Sequence, residues 1–122
     1  MKKVLFALIL VFPFGALADH IDVIEFKIKD GCSTEKYMAI VKDFNEKWGA
    51  KNGYQSEVFF PVQSNNLESV YWVGRSSSTA AFGAAFDQWV KDQTDKDSLG
   101  SKLGARFAEC SENLGRRSYM TG

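Results

Sequence analysis

Two runs in the middle of the chain, residues 54–62 and 67–74, are rich in aromatic and β-branched side chains and flank the turn-prone Gln63-Ser64-Asn65-Asn66. Such runs read as the two strands of a hairpin. Both are apolar on two sides: Tyr54, Val58, Phe60 and Val62 alternate with Phe59 and Pro61, while Leu67, Tyr71 and Val73 alternate with Val70 and Trp72. An antiparallel sheet with one face in water shows a polar face instead. One side of this hairpin must therefore meet helices of its own chain, and the other a second chain, a ligand or a further helix. Pairing with an identical sheet across a two-fold axis meets that need and also buries edge strands, so the pattern predicts a homodimer.

The flanking segments supply the rest of the sheet and its cover. Ile24, Phe26 and Ile28 alternate with Glu25, Lys27 and Lys29, the period of a strand with one apolar face, which Asp30-Gly31 ends. Ser33 can cap a helix in which Tyr37, Val41, Phe44 and Trp48 recur at helical spacing as far as Gly49. After the hairpin, Ser76, Ser77 and Ser78 offer hydroxyl caps to a second helix with Phe82, Ala85, Phe86, Trp89 and Val90 on one side. Its Ala80, Ala81, Gly83 and Ala84 keep it slim enough to lie close to its support. A polar break at 92–97 precedes a third helix carrying Leu99, Leu103, Phe107 and Cys110, which Gly115 is expected to stop; 118–121 is expected to form a short final edge strand. The order strand, helix, strand, strand, helix, short helix, strand predicts an α+β fold. Specifically, it is the ferredoxin-like split βαβ sandwich, a four-stranded antiparallel sheet with helices on one face.

The N-terminus constrains where the protein works. Lys2 and Lys3, the apolar stretch 4–14 and Ala16-Leu17-Ala18 have the form of a cleaved secretory signal peptide over residues 1–18. The stretch is shorter than the roughly 20 residues of a spanning helix, so no membrane attachment is expected after cleavage. The expected mature chain, residues 19–122, is long enough for one compact domain, placed in the periplasm or secreted. Fifteen basic residues balance fifteen acidic ones in the whole chain. Losing the two leader lysines leaves a slightly acidic protein with scattered basic residues, which argues against a nucleic-acid partner.

Cys32 and Cys110, the two cysteines of the chain, both lie in the exported part. An even count in an oxidising compartment favours a disulfide. Two buried thiols and a metal site are the competing readings, the latter weakened by the lack of CxxC spacing and the single histidine. In the ferredoxin-like topology the first and last strands are neighbours. Cys32 follows the first and Cys110 precedes the last, so the fold itself brings the pair together.

The strand pattern Ile24-x-Phe26-x-Ile28, the loop Asp30-Gly31-Cys32-Ser33, the hairpin segment Tyr71-Trp72-Val73-Gly74-Arg75 and the Ala/Phe-rich helix over 80–89 together resemble the dimeric α/β-barrel superfamily. The resemblance extends over nearly all of 21–121 and is closest in pattern to small exported members without assigned chemistry. It implies two ferredoxin-like sheets facing each other as a barrel. Members include cofactor-independent monooxygenases, haem-degrading monooxygenases, muconolactone isomerases and stress-responsive proteins.

Three functions fit these residues. The first is binding of a small apolar or aromatic molecule between the sheets, without a metal or organic cofactor; the aromatic interior suggested by Trp48, Trp72 and Trp89 motivates it, and serves a plain core equally well. The second is a cofactor-independent monooxygenase or isomerase acting on an aromatic substrate, with a buried carboxylate such as Glu25 or Glu57 as general base. The third is a structural role with a filled barrel. Candidate ligand contacts are Arg75, Trp72, Glu57, Glu25 and Tyr54, with Arg75 the preferred anion contact. Charges such as Glu25, Lys27, Glu57, Glu68 and Arg75 can also decorate a solvated rim or pair across strands. His20 stands second in the expected mature chain, where it reads as an exposed terminal residue with at most weak copper affinity. The helices predicted here carry no histidine, against the helical iron ligand of haem-degrading members.

Overall fold

A computed structural model describes residues 19–122. The leader reading of 1–18 lies outside them. The elements run β1 (His20–Ile28), α1 (Thr34–Asp43), a π-helical stretch (Phe44–Gly49) ending in the single turn α2 (Ala50–Asn52), β2 (Gln55–Phe59), β3 (Val70–Ser76), α3 (Thr79–Gln93), α4 (Leu99–Cys110) and β4 (Ser111–Met120). The four strands form one antiparallel sheet in the order β2-β3-β1-β4. This is the ferredoxin-like α+β plan expected from the element order.

Serine hydroxyls start all three long helices. Ser33 accepts from Lys36 N, Ser78 from Ala81 N and Ser98 from Ser101 N, each satisfying an amide that the first helical turn leaves open. The first helix loosens into π geometry where Asn45 leaves it to grip β2. Its amide nitrogen donates to Ser56 O, and its Oδ1 accepts from Ser56 N and Ser56 Oγ. That clamp occupies outward-facing backbone groups of an edge strand, which otherwise invite another strand. Gly53, at φ +67°, then turns the chain into β2.

Helices cover one face of the sheet only. His20, Asp22, Ile24 and Phe26 of β1 share that face with Ser76, Gly74, Trp72 and Val70, their partners on β3. Phe26, Tyr37, Ile40, Phe44, Trp48, Trp72 and Leu103 form the buried core between the layers. The open face carries Val23, Glu25, Phe59, Tyr71, Val73, Arg75 and Tyr119.

The Cys32–Cys110 disulfide joins the loop after β1 to the end of α4, with its Cα atoms 5.2 Å apart. Lys29 N donates to Cys110 O at 2.9 Å beside it.

Three sequence expectations change. The first hairpin strand ends at Phe59 rather than residue 62, because Pro61 has no amide for the ladder, and its partner begins at Val70. Gly115 does not stop α4: the helix ends at Cys110, and β4 is ten residues long with Gly115 in its interior. The polar sequence of 111–118 suits an edge strand, whose charges resist further pairing. His20 is not an exposed end. It is 7% exposed within β1, flanked by β3 and β4, and stacks on Phe82 with ring centroids 4.0 Å apart.

Candidate functional site

Between the sheet and the helical layer lies a cavity of about 330 Å³. Phe26, Tyr37, Phe44, Trp48, Trp72, Trp89 and Phe107 form its aromatic wall, and Phe82, Ala85 and Phe86 of α3 close one side. The volume sits at the small end of ligand pockets, which run roughly 300–1,000 Å³. The slim face of α3 leaves this room. Ala85 is buried against the core where a larger side chain would fill the space.

A polar chain borders the cavity. Trp72 Nε1 donates to the Tyr54 hydroxyl at 2.7 Å, and that hydroxyl donates to Asp22 Oδ2 at 2.9 Å. Arg116 then meets the same carboxylate with two bonds, Nε to Oδ1 at 2.8 Å and Nη2 to Oδ2 at 2.6 Å. The Asp22 side chain is fully buried, while that of Arg116 is 44% exposed. A buried carboxylate is tolerable only when its oxygens are satisfied, and here three donors reach the two of them. The guanidinium also lies 5.0 Å from the centroid of Phe86 and 5.9 Å from that of Phe82, within cation–π range.

Gly74 makes this arrangement possible. It stands opposite Asp22 in the β1–β3 ladder, and a Cβ placed there would overlap the Tyr54 hydroxyl. Burial, reinforced by the Asp22 charge, pushes the Tyr54 phenol far above its ordinary range, so it stays protonated and keeps its hydrogen bond to Asp22. Burial does the same to Tyr37. The bonds to Asp22 raise Arg116 as well, fixing its positive charge.

A β-bulge shapes the mouth. Glu25 pairs with Gly115 and Phe26 with Asn113, so Leu114 is an extra residue on β4. The bulge puts Asn113 on the cavity side together with Arg116, although three positions separate them and strict alternation would send them to opposite faces. Asn113 and Arg116 thus share the cavity side of β4 at the border of an otherwise aromatic space, while Gln93 lines it from the far end of α3, beside Gly104.

The sequence candidates divide between the two faces. Trp72 and Tyr54 line the cavity. Glu25, Glu57 and Arg75 lie on the open face: Glu25 accepts from Ser69 Oγ at 2.7 Å, and Glu57 stands 4.0 Å from Arg75. Asp22, Arg116 and Asn113 escaped the sequence reading. Asp22 carried a usable signal, because it is in phase with Ile24, Phe26 and Ile28 and so points with the buried side. Among the described residues no cluster of three or more His, Cys, Asp or Glu side chains is placed to hold a metal ion. No helix among them is long and apolar enough to cross a membrane.

Similar folds occur among solved structures. One is SnoaB, a cofactor-independent oxygenase from Streptomyces nogalater, with a TM-score of 0.55 and 10% identity over 86% of this chain and 94% of that one. A conserved protein of unknown function from Bacteroides thetaiotaomicron, described as a possible oxidoreductase, gives 0.56 and 9% over 87% and 100%. A dimeric ferredoxin-like protein of unknown function from Thermobifida fusca gives 0.50 and 11% over 86% and 91%. No family model matches the chain, and no curated protein matches it. At these identities the likeness establishes the fold, which is the one implied by the resemblance to dimeric α/β-barrel proteins.

Proposed function

We propose that the protein is an exported, disulfide-stapled homodimer that binds a small aromatic molecule in the cavity of each protomer. The observation that carries this reading is the aromatic cavity itself. It lies between sheet and helices, so the ligand site is placed there rather than between two facing sheets. The leader-like residues 1–18 and the disulfide support export of a single domain spanning 19–122. The apolar open face supports pairing of two sheets, and the similarly folded Thermobifida fusca protein is itself dimeric.

Trp48, Trp72 and Trp89 all line the cavity, so their fluorescence reports on occupancy. Titration of the folded protein with neutral 2-naphthamide should quench it saturably. Ala85→Phe, which fills the space from α3, should remove that response while the circular dichroism stays unchanged. Quenching that never saturates, or that is identical in Ala85→Phe, rejects the binding reading.

A second reading is cofactor-independent oxygenation, favoured by the Asp22–Arg116–Tyr54–Trp72 chain beside the cavity. A carbon acid flanked by aromatic rings can itself reduce dioxygen: a CH₂ group and O₂ give a carbonyl and water, with all four electrons drawn from the substrate carbon. The protein would contribute a fixed cation, Arg116, toward the enolate that forms first. Oxygen uptake by the protein with anthrone, absent when Arg116→Gln is combined with Asp22→Asn so that no buried charge is stranded, tests this reading. Uptake no faster than in buffer counts against it.

A further inference from the structure

The cavity is apolar around most of its wall and charged at one point. Of its lining residues only Arg116 carries a formal charge, and no carboxylate shares the lining with it. Asp22, which neutralises Arg116 overall, is fully buried behind it. What faces the cavity is therefore the positive edge of the ion pair. A guanidinium has five N–H bonds, of which Asp22 takes two, leaving three to be directed elsewhere.

Arg116 is also held still. Asp22 grips it on one side and the Phe82 and Phe86 rings pack against it on the other, so a ligand need not order it on binding. Beside it the bulge at Leu114 brings in Asn113, whose side chain makes no hydrogen bond to the described residues. Deeper in, the indole N–H groups of Trp48 and Trp72 are already spent on Asp92 and Tyr54. The polar demand of a ligand is met at the mouth and its rings are met inside.

We infer that the cavity takes an aromatic carboxylate, seated ring-first among the tryptophans and phenylalanines with its anionic group on Arg116 and Asn113. The inference rests on the aromatic-binding reading and adds the charge and the direction of entry. The modest volume limits the ring system to one to three rings. Arg75, expected from sequence to be the anion contact, is on the opposite face of the sheet and takes no part.

The test compares 2-naphthoate with the neutral, near-isosteric 2-naphthamide by tryptophan quenching and calorimetry. A charge-assisted contact predicts that naphthoate binds about tenfold tighter or more at low salt, with the ratio shrinking as salt rises. Arg116→Gln alone strands a buried carboxylate, so the decisive variant is Asp22→Asn combined with Arg116→Gln, which removes both charges. In it naphthamide should bind within about threefold of wild type, while naphthoate loses its advantage. Equal binding of the two ligands by wild type, or an advantage that survives in the double variant, overturns the carboxylate inference and leaves aromatic binding standing. If neither ligand binds wild type, the aromatic reading falls and this inference falls with it.

Discussion

Arg116 holds Asp22 with both arms of its guanidinium, at 2.8 and 2.6 Å, across the last and first strands of the sheet. The pair is asymmetric in its surroundings, since the carboxylate is wholly buried and the guanidinium is nearly half in solvent. That asymmetry sets its energetics. Removing Arg116 leaves a charge in the interior, whereas removing the Asp22 charge leaves a cation that water can still reach.

Arg116→Ala should therefore cost about 3–5 kcal/mol, the range for breaking a buried pair from one side. Asp22→Asn should cost less, about 1.5–3 kcal/mol, the worth of hydrogen bonds to a charged group. Urea unfolding of both variants checks the order. Equal losses, or the reverse order, would show that the carboxylate is not the stranded partner.

Gly74→Ala should disturb the site more than an ordinary strand glycine does. The added methyl group overlaps the Tyr54 hydroxyl, which must move away from both Asp22 and Trp72. Overpacking of this kind costs about 1–3 kcal/mol. Tyr54→Phe removes the same two bonds, so the double variant should lose clearly less than the sum of the single losses. Strict additivity would mean that Gly74 is not placing Tyr54.

Alkaline pH should unfold the protein in a way traceable to two tyrosines. Tyr37 and Tyr54 have folded-state values raised well above the ordinary 10.0. In the unfolded chain both ionise near pH 10, so the unfolded state loses protons that the fold retains. Stability is then fully present below pH 10 and falls as pH rises beyond it, by up to about 1.4 kcal/mol per pH unit for each tyrosine. The slope between pH 10 and 12, measured by urea midpoints, should drop by about half in Tyr54→Phe. An unchanged slope would assign the alkaline loss to other groups.

Much of this architecture is legible in the sequence, and the parts that are not have physical reasons. The period of two through Ile24, Phe26 and Ile28 and the helical spacing of Phe82, Phe86 and Trp89 give the element order, and that order brings Cys32 to Cys110. The site is harder to see. Asp22 counts as polar in any alternation, although its phase matches the buried face. Arg116 follows Gly115, which reads as a helix stop, so the ten-residue strand that carries Arg116 is hidden. The bulge at Leu114 then reverses the phase within that strand, and no local signal separates a bulged edge strand from a polar tail. The charged candidates Glu25, Glu57 and Arg75 share one face, as their alternation implies, but it is the face turned away from the cavity.

The disulfide ties the loop after the central strand β1 to the residue before the edge strand β4 over a separation of 78 positions. Its removal should release loop-closure entropy worth up to about 4–5 kcal/mol in the chain-entropy treatment. Cys32→Ser with Cys110→Ser should fold at room temperature but unfold at a markedly lower urea concentration. Phe107, Ala108 and Ser111 line the cavity on either side of Cys110, so naphthamide binding should weaken in the same variant. A variant as stable as wild type would show that the hydrophobic core already fixes this corner.

The open face of the sheet makes the last prediction. Phe59 and Tyr119 are 47% and 52% exposed there, and Val23, Tyr71 and Val73 join them across all four strands. A facing sheet would bury Phe59 and Tyr119, complete the burial of Val23 and Tyr71 around the already buried Val73, and shelter the Glu57–Arg75 pair. Tyr71 lies opposite both Glu25 and Phe59, so Tyr71→Glu would set two like charges side by side in a closed seam. In a lone protomer that residue has solvent access, and the fold should survive. Light scattering should give a dimer mass for wild type and a monomer mass for Tyr71→Glu, with unchanged circular dichroism. A monomeric wild type at 100 μM, a test condition chosen well above the dissociation constants of about micromolar and below expected for stable pairs, would remove the two-fold arrangement and leave the cavity to act within a single chain.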